Sequence, residues 1–326
     1  MSLSAALERQ LHALPPGAIA VAFSGGMDSS VLLHALAQLP AARARGLRAI
    51  HVDHGLHADS ARWSEHCERC ACALDVPITA CVASVERASG TGLEDAARTA
   101  RFAVFEQQLA AGEFLALAQH RDDQAETILL KLLRGAGPEG LGGMRTLRQF
   151  AQGYLWRPLL AVPRSMLHDY AQAHDLRWLE DPSNADDSLR RNFLRQEILP
   201  RLTQRWPEAA AALTHSARWA RAAADFIADQ AASALAQLRG TDPATLRWRD
   251  WLQLPDALRD PVLRLWLRQL RLDEPAHFHV TELERQLQAA NDRHPCVAFE
   301  GTELRRRRDL LHAMRAPQAG DGSDSG

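Results

Sequence analysis

Ile19-Ala20-Val21-Ala22-Phe23-Ser24-Gly25-Gly26-Met27-Asp28-Ser29-Ser30 is the stretch whose reading decides the fold. Its five apolar residues predict a parallel strand buried on both faces. Ser24 to Ser29 are mostly small, flexible or hydroxylated, and Val31, Leu32, Leu33, Ala35, Leu36 and Leu39 then recur at helical spacing. The order strand, tight loop, helix places the loop at the strand's carboxyl end, where open α/β sheets bind ligands. Gly25 and Gly26 let the backbone turn sharply and let an oxyanion approach its N–H groups. The first turn of the helix adds unpaired donors and the positive end of a dipole. Ser24, Ser29 and Ser30 can donate hydroxyls to the same anion. Asp28 is a carboxylate beside the expected phosphate, which calls for a divalent cation between them. No lysine follows the glycines, so this is not a Walker loop, and the Gly-x-Gly-x-x-Gly pattern is absent too. An ordinary β–α turn is the simpler alternative; the strand before, Asp-Ser within and the helix after argue against it.

At 326 residues and 46% hydrophobic content the chain can fill two domains. No apolar run approaches 18 residues, and Glu8, Arg9 and His12 interrupt the first 17, so neither a membrane span nor a signal peptide is expected. Five cysteines without framework spacing point to a reducing cytoplasm. With a net charge of −2, a nucleic-acid surface must be a local patch. Lys131 is the sole lysine, which argues against ligases that form a covalent lysyl-adenylate.

Along the chain, residues 3–14 read as an amphipathic helix stopped by Pro15-Pro16-Gly17. Further strands are predicted at Leu47 to Val52, Ile78 to Val82 and Phe114 to Ala118, with helices between them, one over Gly92 to Ala111. That alternation predicts an α/β fold with a doubly wound parallel sheet. A second, smaller, mainly helical C-terminal domain follows. The expected boundaries are a catalytic domain over 1–206, a linker helix over 207–240, a small domain over 241–316 and a disordered tail over 317–326.

Active-site residues collect where strands end. Asp53 and His54 follow the second strand; His120, Asp122, Asp123 and Glu126 follow the fourth, and both ends border the crevice of the Ser-Gly-Gly loop. Asp53, Asp122 and Asp123 can join Asp28 in holding Mg²⁺, although Asp122 and Asp123 also suit helix N-caps. Arg98 and Arg101, three apart, share a helix face suited to phosphate, or to solvent.

Ser24-Gly25-Gly26-Met27-Asp28-Ser29 resembles the PP-loop of the ATP pyrophosphatase superfamily, which holds the pyrophosphate of ATP and transfers AMP to an oxygen. The likeness tightens over residues 19–206. His51-Val52-Asp53-His54-Gly55-Leu56, Arg98-x-x-Arg101-Phe102, Gln119-His120-x-Asp122-Asp123-Gln124-x-Glu126-Thr127, Leu133-Arg134-Gly135-x-Gly137-x-x-Gly140-Leu141-x-Gly143-Met144, Arg157-Pro158-Leu159-Leu160 and Arg191-Asn192-Phe193-Leu194-Arg195 follow in order. Together they are similar to the tRNA(Ile)-lysidine synthase family. The resemblance implies ATP and Mg²⁺ as cofactors, tRNA(Ile) with a CAU anticodon and free L-lysine as partners, and no membrane; a homodimer is left open. Its members adenylate the C2 oxygen of the wobble cytidine, and the ε-amine of lysine then displaces AMP. On this reading Ser24 to Ser29, Asp53 and His54 hold the nucleotide, and Asp28 and Asp122 hold the metal. Asp28, Asp122, Asp123, Arg98 and His120 serve catalysis, with His120 or a carboxylate taking the lysine proton. Glu126, Arg134, Gly135, Gly137, Gly140, Arg191, Asn192 and Arg195 contact lysine or tRNA.

Composition makes Gly135 to Gly143 a mobile loop. Residues 188–221 hold seven arginines against Glu197 and Glu208, a run expected to meet phosphate. A hairpin is expected at Val297–Glu300 and Glu303–Arg307, where alternating arginines put one pair on a tRNA-facing side. The resemblance implies a further C-terminal domain in many longer relatives, and this sequence is expected to stop short of it. Cys67-x-x-Cys70-x-Cys72 resembles a metal spacing but sits in a helical pattern without a second pair, which favours core and surface roles. Two other functions stay open: a sulfur-transferring PP-loop enzyme acting on tRNA, and a non-catalytic nucleotide-binding module.

Overall fold

The computed structural model describes residues 2–53, 60–84, 93–180, 190–289 and 295–316. The chain divides into two compact units, 1–221 and 222–326. The first unit opens with α1 (Leu3–Ala13), β1 (Ile19–Ala22), α2 (Met27–Ala37), α3 (Pro40–Ala44) and β2 (Leu47–Asp53). It continues through α4 (Ser60–Ala73), β3 (Ile78–Val82), α5 (Leu93–Gln108), β4 (Phe114–Ala116), α6 (Arg121–Leu133) and α7 (Pro138–Leu141). The strands β5 (Leu147–Phe150) and β6 (Gly153–Trp156) precede α8 (Arg164–Ala173) and α9 (Arg190–Phe193). A π-helical turn (Leu194–Ile198) joins α9 to α10 (Leu199–Arg205), and α11 (Ala209–Leu238) runs on past the first unit through the stretch expected to link the domains.

The six strands lie in the order β3-β2-β1-β4-β6-β5, parallel except for the edge hairpin β5–β6. All four predicted strands are present; the hairpin was not foreseen. Alternation along each strand explains the two covered faces. Ile19, Val21, Ala49, Phe114, Ala116 and Trp156 pack under α1, α2, α4 and α8. Ala20, Ile50, Leu115 and Leu155 point the other way, onto Phe105 of α5 and Leu109 just after it. The central strands β1 and β4, covered on both faces, are continuously apolar. The chain runs outward from β1 to β2 and β3, then crosses back to place β4 on the other side of β1. The topological switch therefore lies between the carboxyl ends of β1 and β4.

The second unit contains β7 (Thr245–Arg247), α12 (Trp248–Leu252), α13 (Asp256–Gln269), α14 (His277–Gln288), β8 (Cys296–Phe299), β9 (Thr302–Arg307) and β10 (Leu310–Arg315). Its helices cover one face of a four-stranded antiparallel sheet ordered β7-β10-β9-β8, which is larger than the expected hairpin. Leu246, Val297, Leu304 and Leu311 meet Trp251, Trp266, Leu267 and Leu283 in its core. Arg305 and Arg307 are exposed, whereas Arg306 is buried with its guanidinium over the Trp248 ring, 5.3 Å from the centroid. Among the described residues no helix is long and apolar enough to cross a membrane. The expected tail, 317–326, lies outside the described residues.

Candidate active site

The loop after β1 is built by its own hydroxyls. Ser29 Oγ donates to the Gly26 carbonyl at 3.0 Å, lies 3.0 Å from Ser24 Oγ, and accepts from the Ser24 N–H at 3.3 Å. Gly25 has φ +79°, and a Cβ there would stand 3.0 Å from Cys67 Sγ and 3.3 Å from Trp63. Glycine is required on both counts. Gly26 is the N-cap of α2, so the N–H groups of Met27, Asp28 and Ser29 lack helical acceptors and form an anion cradle. From below, His51 Nδ1 donates to the Phe23 carbonyl at 2.9 Å, and the Gly25 carbonyl accepts from Leu179.

The carboxyl end of β4 supplies the other wall. His120 is the N-cap of α6, and a reciprocal box forms: the His120 N–H donates to Asp123 Oδ2 at 2.9 Å while the Asp123 N–H approaches His120 Nδ1 at 3.4 Å. With Nδ1 accepting, the ring proton sits on Nε2, 3.6 Å from Asp28 Oδ2 and 3.5 Å from Asp123 Oδ2. Burial alone would lower the His120 pKa, but hydrogen bonding to Asp28, with the charges of Asp123, Asp28 and Asp122, raises it above its ordinary value.

Asp123 and Glu126, three apart on α6, face Arg191 and Arg195. Glu126 is fully buried and accepts from Arg191 Nε on one oxygen and Arg195 Nε on the other, both at 2.7 Å. Arg195 also reaches Asp123 Oδ1 at 3.0 Å. Burial opposes its charge, but the bonds to Glu126 and the charges of Asp123 and Asp28 raise its pKa. Arg195 lies in the π-helical turn, a local widening that recurs at functional sites. Asp28, His120, Asp123, Arg195 and Glu126 thus form one continuous polar chain from the anion cradle to a buried carboxylate.

The PP-loop domain family matches residues 2–202, and the TilS substrate binding domain family matches 246–312. The tRNA(Ile)-lysidine synthase of Xanthomonas axonopodis pv. citri (strain 306) is 50% identical over 318 residues, covering 95% of this chain and 70% of that protein. The tRNA(Ile)-lysidine synthase of Pseudomonas aeruginosa PAO1 is 45% identical over 315 residues, covering 91% and 70%. The chain belongs to the tRNA(Ile)-lysidine synthase family. Of the solved structures, the U34-tRNA thiolase NcsA of Methanococcus maripaludis, with its [4Fe-4S] cluster, superposes with a TM-score of 0.55 at 17% identity. That match covers 67% of this chain and 77% of the thiolase, and shows a shared fold.

As a member of this family the chain has an ATP-using PP-loop domain, and the residues fit a divalent cation at one point. Asp28 Oδ1 is buried without a hydrogen-bond partner, an oxygen suited to a hard cation that also takes phosphate oxygens. Asp122 fits less well than expected. Its Oδ2 accepts from the Arg164 N–H at 3.0 Å and lies by His120 Nδ1, the ring nitrogen that does not face Asp28. Among the described residues no group of three or more His, Cys, Asp or Glu is arranged to hold a metal by itself.

Other expected residues spread out. Asp53 ends β2 and is half-buried, and His54 lies outside the described residues. Arg98 stands on α5 with its guanidinium 5.0 Å over the Phe102 ring. Asn192 is buried on α9; Arg134, Gly135 and Gly137 are exposed beyond α6, with Gly140 half-buried. The arginine run divides: Arg191 and Arg195 serve the carboxylates of α6 and Arg201 pairs with Glu197, whereas Arg190, Arg205 and Arg218 are exposed. The cysteines do not converge. Cys67 is buried, Cys70 half-buried and Cys72 exposed; burial, with Cys70 and Glu68 nearby, pushes the Cys67 thiol up to about 12. His51 stands in the motif at the end of β2, but its support of the Phe23 carbonyl is not assigned by the motif; one polar residue between Ile50 and Val52 in a buried strand is the signal for it.

Proposed function

We propose that the chain ligates lysine to C2 of the wobble cytidine (position 34) of CAU-anticodon tRNA(Ile) at the expense of ATP, through an adenylated tRNA. The observation that carries this reading is the polar chain from Asp28 to Glu126, which sets an anion cradle beside acidic groups suited to an amine. In the first step the C2 oxygen attacks the α-phosphorus, the bond to the β-phosphate oxygen breaks, and pyrophosphate leaves. In the second the lysine ε-nitrogen bonds to C2, the C2–O bond breaks, AMP departs with the oxygen, and the amine loses a proton.

The cradle N–H groups and Ser24 and Ser29 bind the phosphates. Asp28 Oδ1 would hold Mg²⁺, which would supply positive charge against the departing pyrophosphate. His120 keeps Asp28 in place and holds a proton on Nε2. Asp123 and Glu126 attract the lysine ammonium, while Arg191 and Arg195 fix their orientation. Asp123 stands where it can take the proton released at nitrogen.

The decisive experiment supplies the protein with ATP, Mg²⁺, CAU-anticodon transcript and labelled lysine. Label should enter the RNA with release of AMP and pyrophosphate, and omission of ATP should abolish it. Entry of sulfur from sulfide with no entry of lysine overturns the reading in favour of thiolation.

A further inference from the structure

The paired glycines Gly142-Gly143 have a role that the phosphate chemistry does not use. Gln124 lies on α6 between Asp123 and Glu126, and it is 4% exposed. Its Nε2 donates to the Met144 carbonyl at 3.0 Å and its Oε1 accepts from the Met144 N–H at 2.8 Å, so a single amide satisfies both polar groups of one residue. Arg221 on α11 donates from Nη2 to the Gly143 carbonyl at 2.5 Å. Both grips depend on missing side chains. A Cβ on Gly143, whose φ is +62°, would lie 2.7 Å from Gln124 Nε2; one on Gly142 would lie 2.7 Å from Arg221 Cζ. The segment from Gly135 to Gly143, expected from composition to be mobile, therefore contains the short helix α7 and ends in a clamp held from two helices.

We propose that Gln124 and Arg221 are positioning residues for lysine transfer. By gripping the Gly143–Met144 stretch they dock the glycine segment on the helix that carries Asp123 and Glu126, and set the approach of the amine to the adenylated base. The inference rests on the lysine-ligase reading given above. The bonds that make the clamp fall on Gly143 and Met144 rather than on Ser24 to Ser29, so loss of the clamp spares adenylation and weakens transfer. A displacement of the order of 1 Å at such a site is enough to weaken productive seating of lysine, and so transfer at limiting lysine, by about tenfold or more.

The test compares Gln124→Ala, Arg221→Ala, Arg221→Lys and Gly142→Ala in two assays, tRNA-dependent release of pyrophosphate from ATP and transfer of labelled lysine. The variants should adenylate at the wild-type rate but need about tenfold more lysine for half-maximal transfer, with Arg221→Lys partly restored because an ammonium still reaches a carbonyl. Gly142→Ala pushes Arg221 aside, so the double variant Gly142→Ala/Arg221→Ala should be no worse than the poorer single variant. An unchanged lysine requirement, an equal fall in both steps, or additive effects in the double variant overturns the assignment. Wild-type protein that transfers no lysine overturns the ligase reading itself, an outcome distinct from all three.

Discussion

Three side chains of the polar chain separate folding from chemistry. Glu126→Ala removes the shared partner of Arg191 and Arg195 and leaves two guanidinium groups facing each other near Asp123. Breaking a fully buried pair costs about 3–5 kcal/mol, and partly exposed arginines reduce that here to about 2 kcal/mol, readable by urea unfolding. Asp28 should behave oppositely. Its Oδ1 is buried and unsatisfied, so Asp28→Asn should keep the fold without ligand while abolishing pyrophosphate release. Normal turnover in that variant would remove Asp28 from the metal site. His120 adds a pH dependence whose sign is fixed by its raised pKa. The stability it contributes is complete below its ordinary value of 6.5 and is lost as pH rises through the higher folded value. His120→Asn keeps a capping acceptor but cannot charge. The stability advantage of wild type over this variant should therefore hold below about pH 6.5 and shrink as pH rises above it. It should vary less with pH when Asp28→Asn is also present; a constant advantage would mean that His120 stays neutral throughout.

At the scale of elements, the β1 loop combines positive φ with close contact to α4. Gly25→Ala should lower stability by about 1 kcal/mol through backbone strain alone and should weaken ATP binding further. Adding Cys67→Ala relieves the contact at 3.0 Å but not the φ of +79°, so calorimetric ATP affinity should recover only in part. Full recovery would assign the whole effect to the sulfur contact. This loop was legible in the sequence because its determinants are local: an apolar strand, two glycines, and a helix start within twelve residues. The carboxylates of α6 were legible for the same reason. Contacts between distant residues were not. Arg191 and Arg195 meet Glu126 across 65 and 69 residues, and Arg221 meets Gly143 across 78, so a local charge run gave no sign that its members turn inward. The β5–β6 hairpin escaped notice because Leu147, Arg148 and Gln149 are exposed on an edge strand, with no alternation to reveal it.

For the whole molecule, the placement of arginines decides how affinity for RNA should respond to salt. Removing one arginine that neutralises a phosphate should make the log–log slope shallower by about 0.7–0.9. Arg191 and Arg195 are held by Asp123 and Glu126, so replacing either by alanine should impair lysine transfer while leaving that slope nearly unchanged. The second unit, matched by a substrate-binding family, presents a better candidate surface. Arg307 is exposed on the open face of its sheet, and Arg305 beside it is held by Glu303 at 2.7 Å. Arg307→Ala should therefore give the full reduction and Arg305→Ala a smaller one, because Glu303 already neutralises part of that charge. Arg306 is the internal control: it lies on the same strand but is buried over Trp248, so Arg306→Ala should destabilise the unit without altering the slope. Binding of CAU-anticodon transcript measured across a salt series separates these cases. A slope change at Arg191 and Arg195 with none at Arg307 would place the RNA backbone on the carboxylate cluster, and the internal pairing seen there would have to open on binding.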